Sequence, residues 1–146
     1  MKRNLKFRNI LPDIIAYLYV LLFVYASVSK LIDFENFKVQ LGQSPLLSPF
    51  AGTISLTVPV IELAIAAALL LSNYRYIGLF AGFGLMVMFT AYIYIILNYS
   101  EFVPCSCGGI LEKMGWKEHL VFNIAFVALA AIAVLVYPQQ HKIQAL

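Results

Sequence analysis

Charge is scarce in this chain. Of its 146 residues only 12% are Asp, Glu, Lys or Arg, against roughly 25% in soluble domains, while 62% are hydrophobic. So little charge excludes an ordinary water-exposed surface and points to an integral membrane protein. The formal charge of +3 is also too small for a nucleic-acid-binding face: the largest basic group, Lys2, Arg3, Lys6 and Arg8, precedes the first apolar run, a topogenic pattern. Cysteine is limited to two residues, which excludes the disulfide framework of small secreted domains. Repeats, low-complexity segments and haem or flavin signatures are missing as well, so neither a solenoid nor a soluble cofactor domain is in view.

What is present is a series of four apolar runs. The first extends from about Ile14 to Ser29 between Asp13 and Lys30, close to the roughly 30 Å of a hydrocarbon core, and Lys30 can snorkel to complete the crossing. A cleaved signal peptide is the alternative, since Val24-Tyr25-Ala26 resembles a cleavage site, but the apolar stretch continues past it. From Leu31 to Pro49 the chain is mixed and loop-like, with room for one short amphipathic helix whose Phe34 and Phe37 are expected at the interface. The second run carries Pro59 and Glu62 near its middle, and the proline removes one helix hydrogen bond that neighbours must cover. After the Asn73-Tyr74-Arg75 turn, Tyr76 to Tyr99 holds no charge, and Gly78 with Gly82 permits close helix approach. A polar connection follows, then an alanine-rich run ended by Pro138. The expectation is one all-α membrane domain over 1–146, a four-helix bundle with helices at about 13–30, 50–72, 76–99 and 119–137 and a cysteine loop at 101–117.

Orientation follows from the basic residues. Lys2, Arg3, Lys6, Arg8, Arg75 and Lys142 fall on one side; Lys30, Lys38, Lys113 and Lys117 fall on the other, offset by Asp33, Glu35, Glu101, Glu112 and Glu118. The positive-inside bias then puts both termini in the cytoplasm and the cysteine loop outside, as in a multi-pass protein of a bacterial inner membrane with a periplasmic loop. Disulfides persist on that side.

In that loop Cys105 and Cys107 are separated by one serine and followed by Gly108-Gly109. A bridge at this spacing requires a sharp turn, because an extended i to i+2 separation approaches the roughly 6.8 Å limit of Cα separation, and strain makes the bond easier to exchange. Ile110 to Met114 reads as a short interfacial helix, so Cys107 lies near a helix N-terminus that favours thiolate. His119, with Asn123 one turn deeper on the same face, is the candidate to stabilise or protonate that thiolate. Three readings stay open: a structural disulfide; a metal site, for which only His119, Glu101 and Glu112 are near; and redox-active thiols, which fit the glycines, the exposure and the strain together.

Glu62 is the second candidate, since an ionisable group at mid-membrane is costly and faces a polar partner or cavity. It can equally be an anchor bound to Tyr25, Ser29, Tyr92 or Asn123, or paired with Lys30. The tyrosines Tyr17, Tyr19, Tyr92 and Tyr94 read as a packing face.

These residues are familiar in combination. Tyr25 to Phe34, Pro59-Val60-Ile61-Glu62, and Cys105-Ser106-Cys107-Gly108-Gly109 with Gly115-Trp116 and His119 to Asn123 resemble the DoxX-like superfamily, in particular its MauE-type, redox-associated branch. The resemblance spans nearly the whole chain. It implies a four-helix membrane bundle associated with periplasmic disulfide formation or thiol maintenance, although the Cys-x-Cys spacing departs from the Cys-x-x-Cys of well-understood oxidoreductases.

The leading expectation is a thiol–disulfide redox protein in which Cys105, Cys107 and His119 act on a periplasmic thioredoxin-like protein or a cysteine-containing client. A quinone is the natural onward acceptor, with Glu62, Lys30 and Asn123 as its polar contacts. The rival is a non-enzymatic assembly subunit with a structural disulfide, forming homo- or hetero-oligomers through the Gly78/Gly82 face. A proton or solute pathway around Glu62 is a third reading, for which no inverted repeat is visible.

Overall fold

The computed structural model describes residues 2–99 and 115–137, and all regular structure among them is helical. Cys105, Cys107, Glu101, Glu112, Lys113, the expected helix from Ile110 to Met114, Pro138 and Lys142 lie outside the described residues.

Helix α1 (Lys2–Ile32) has 31 residues, so it is about 46 Å long and exceeds the hydrocarbon core. It begins well before the expected residue 13. Pro12 removes a single N–H, and helix formers such as Lys2, Arg3, Leu5, Lys6, Arg8 and Leu11 let the ladder run through it. The short amphipathic element is α2 (Phe34–Gln43), in which Phe37 and Leu41, one turn apart, are buried. Phe37 therefore turns into the bundle and not to the interface as expected, and Phe34 is half-buried.

A 3₁₀ turn at Ser48–Phe50 with Pro49 in its first turn leads into α3 (Ala51–Leu70), and α4 spans Arg75–Tyr99. Helix α5 (Trp116–Val136) starts three residues earlier than the sequence suggests: Gly115 is extended as its N-cap, and Glu118 in the first turn favours the helix dipole.

The four long helices stand in the order α1, α3, α4, α5 around the bundle. Their largest contacts are α1 with α3 and α4 with α5, and α2 lies mainly on α3. Ile15, Ala16, Tyr19 and Phe23 recur at helical spacing on α1 and meet Ile65, Ala66 and Leu69, Leu79 and Met86, and Ala130 and Ala133. Tyr19 is the hinge of this core: its ring stands edge-on to Phe23 and Phe126 at 5.4 and 5.3 Å, and its hydroxyl donates to the Phe126 carbonyl.

Polarity runs opposite to that of a soluble bundle. Ser27, Ser55 and Glu62 are fully buried, while Leu21, Met88 and Leu135 are 69%, 67% and 79% exposed. That distribution suits lipid outside and hydrogen bonds inside, and each of the four long helices is apolar and long enough to span a membrane. At the proline in α3, the neighbouring helix supplies a hydrogen bond from Ser27 Oγ to the Pro59 carbonyl at 3.0 Å.

Two expectations need correction here. The tyrosines do not form one face, because residues two apart on a helix point in opposed directions: Tyr19 is buried whereas Tyr17 is 52% exposed. The Gly78/Gly82 face is filled by this chain: a Cβ on Gly78 would fall 3.1 Å from the Leu69 backbone nitrogen, and one on Gly82 would fall 3.2 Å from Tyr19. The close approach joins α4 to its own α3 and α1.

The end of the bundle at the Arg75 turn is closed by one side chain. Arg75 bonds Asp13 of α1 through Nη1 at 2.8 Å, donates from Nε to the Leu69 carbonyl at the end of α3, and lies over the Tyr17 ring at 5.5 Å. Nothing lies within 4 Å of a Cβ on Gly84, so Gly84→Ala is expected to leave the melting temperature in detergent unchanged, and Gly78→Ala to lower it. Equal melting temperatures for the two variants would contradict the α3–α4 approach.

Candidate functional site

At the opposite end from Arg75, α1 and α3 are joined by a buried ion pair. Lys30, in the last turn of α1, reaches Glu62 near the middle of α3, with Nζ 2.6 Å from Oε1. The sequence leaves several partners open for Glu62, and the structure selects Lys30. The ammonium is also flanked by the rings of Phe37 from α2 and Phe89 from α4, at 5.9 and 5.7 Å to the centroids. Both charges are nearly withdrawn from solvent, with side-chain exposures of 10% and 1%. One valence is left over: among the described residues Glu62 Oε2 is buried without a hydrogen-bond partner.

Lys30 and Glu62 are among the residues that line a cavity of about 380 Å³ to which all five helices contribute. Lys30, Thr57, Glu62, Tyr92, His119 and Asn123 are its polar lining residues, and aliphatic, methionine and aromatic side chains form the rest. Asn123 is 3% exposed, and His119 is half-buried beside Trp116, the ring centroids 6.2 Å apart. Tyr92 donates to Ser44 Oγ at 2.8 Å, which ties the segment after α2 to α4 and keeps α2 over the cavity. A mostly apolar pocket with a few convergent polar groups is the usual form of a small-molecule site, and its volume falls in the customary range of roughly 300–1,000 Å³.

The structure thus brings together Lys30, Glu62, His119 and Asn123, which the sequence places on three different helices. Cys105 and Cys107 lie outside the described residues; of the helices on either side of them in the chain, α5 lines the cavity with Trp116 and His119 of its first turn, and α4 with Tyr92 and Ile93, short of its end at Tyr99. Sequence reasoning missed α2 as a wall, with Phe37 and Leu41, and missed Phe89. The i, i+4 spacing of Phe37 and Leu41 in an otherwise polar segment was the available signal; Phe89 has none, since α4 is apolar on every side.

Removing either charge leaves the other buried and unpaired, which costs roughly 3–5 kcal/mol, whereas replacing both by apolar groups is much milder. Lys30→Met and Glu62→Leu are each expected to lower unfolding stability in detergent by that order, and the double variant by less than either. Additive losses in the double-mutant cycle would mean the pair is not coupled.

A family profile described as methylamine utilisation protein MauE matches residues 8–136, a span that takes in all four membrane-crossing helices, the cavity and the cysteine loop. No curated protein and no solved structure matches the chain. The match bears out the MauE side of the resemblance seen in the residues, and with four apolar helices around a buried ion pair the chain belongs to the MauE family of multi-pass membrane proteins.

Proposed function

We propose that this protein is a membrane thiol–disulfide redox protein. Cys105 and Cys107 exchange with a periplasmic thioredoxin-like protein or a cysteine-containing client, in support of disulfide formation or thiol maintenance in secreted proteins. The observation that carries the reading is the position of His119: in the first turn of the helix that follows the cysteine loop, it lines the same cavity as the Lys30–Glu62 pair. A titratable imidazole at that point can hold the proton that a thiol gives up.

In the exchange step a thiolate on one side attacks a disulfide sulfur on the other, forming a mixed disulfide. The second thiolate of the attacking pair then displaces the leaving sulfur, so one S–S bond forms as another breaks and the released thiolate takes up a proton. Thiolate concentration governs this rate. The proposed topology keeps both termini in the cytoplasm and the loop in the periplasm of a bacterial inner membrane, where a disulfide survives. The count of basic residues supports it.

Replacing Cys105 and Cys107 together by serine is expected to leave the thiols of periplasmic clients reduced, or scrambled, while the bundle still assembles; His119→Ala is expected to slow exchange about 10²-fold without abolishing it. Alkylation of client thiols in intact cells, with an impermeant maleimide to locate the loop, reads both. Unchanged client thiols with loss only of complex assembly would remove the enzymatic reading and leave an accessory subunit braced by a structural disulfide.

A further inference from the structure

We propose that the cavity beside the Lys30–Glu62 pair is a binding site for one acyl chain of a bilayer phospholipid. The site rests on the bundle alone and does not depend on thiol exchange.

The polar residues of the lining have little to offer a ligand. Glu62 is 0% exposed and its Oε2 is covered by protein, so that oxygen does not reach the space. The Lys30 ammonium is neutralised by Glu62 Oε1 at 2.6 Å and flanked by the rings of Phe37 and Phe89. Thr57 donates its hydroxyl to the Thr53 carbonyl of its own helix at 2.7 Å, and Tyr92 donates to Ser44. His119 and Asn123 stand in the first turns of α5, at the end of its span. What faces the middle of the space is the hydrocarbon of side chains such as Leu22, Val58, Leu85, Met86 and Ile93. A charged ligand finds no unbalanced partner there, whereas a saturated chain meets its own chemistry.

The space is also continuous with the surface that meets lipid. On α3 its lining runs from Ile54 to Glu62 and on α4 from Leu85 to Ile93, whereas beside the Arg75 turn Leu69 and Gly78 keep the same two helices in contact. Ile61 and Met88 belong to the lining and yet are 40% and 67% exposed, so the opening is on the side of the bundle, along the spans. The medium outside that opening is acyl chains. An apolar cavity of roughly 150 Å³ in a soluble protein already stays dry and takes up an apolar guest. One of about 380 Å³ that opens on hydrocarbon has its guest at hand. Left empty, its walls would lack dispersion contacts, and a chain that enters restores them. The same chain keeps water from the ion pair, whose attraction is stronger in drier surroundings. The chain belongs to a phospholipid, whose headgroup stays outside the bundle. The carboxylate of a free fatty acid would need a cation, and the lysine that borders the cavity is already paired.

Trp116 is the single tryptophan and lines the cavity, so its fluorescence reports on the contents. The full-length protein, stripped of lipid in detergent, is titrated with phosphatidylcholine whose chains carry bromine, a contact quencher of indole. Quenching is expected to saturate and to be reversed by unbrominated phosphatidylcholine. Ala26→Phe and Val58→Phe, which fill the space from α1 and α3, are expected to raise Kd at least tenfold, whereas Val121→Phe, at a 67% exposed position of α5, leaves it unchanged. Phosphatidylcholine is also expected to raise the melting temperature of the stripped wild type, and to raise that of the two filled variants less.

Quenching of the wild type that rises linearly with lipid would overturn the site, and that result needs no variant to fold. An equal Kd in the wild type and in filled variants that melt cooperatively would overturn it as well. Saturable quenching by a brominated free fatty acid that phosphatidylcholine does not reverse would overturn the assignment to a phospholipid.

Discussion

The bundle is organised around two opposite charges that have almost no water. Lys30 and Glu62 lie on helices that run in opposite directions, and their contact at 2.6 Å fixes how far α1 is advanced along α3. Sliding either helix by one turn would strand a charge in hydrocarbon, a penalty larger than most packing differences. The Ser27 bond to the Pro59 carbonyl lies on the same interface, one turn from each charge, and sets the same register. Around this seam the rest follows: α1 against α3 is the largest contact, Tyr19 and Phe23 present their rings to α4 and α5, and α2 is drawn over Lys30 by Phe37.

Much of this was legible because lipid imposes a simple rule of length and polarity. The four spans could be read from apolar runs, and Glu62 stood out because nothing else in the middle of a span carries charge. The interior could be read only where it is polar: Ser27, Ser55, Glu62 and Asn123 are all buried. The apolar residues gave no such guidance, since Leu69 in the core and Leu135 in contact with lipid are chemically equal and the solvent is as apolar as the interior. For that reason the Gly78/Gly82 pair could be seen as a close-packing device while its partner could not, and Phe89 could not be told from Phe80. Helix ends were misread where a proline did not stop the helix, as at Pro12, or where a glycine N-cap preceded the expected start, as at Gly115.

The two ends of the bundle differ in how completely their polar groups are satisfied. At the Arg75 end the guanidinium meets a carboxylate, a helix carbonyl and an aromatic face, and Asp13 remains 46% exposed on its side chain, so water can complete its bonding. At the Lys30 end the carboxylate is more deeply buried, has one oxygen bonded and one without a partner among the described residues, and belongs to a residue in the lining of a cavity of about 380 Å³. A pair selected only to hold helices together has no need of such a cavity: packing would close it, because a void forfeits contacts on every side. Buried ion pairs, moreover, are often no more stable than well-packed apolar replacements, so stability alone is a weak reason for this one.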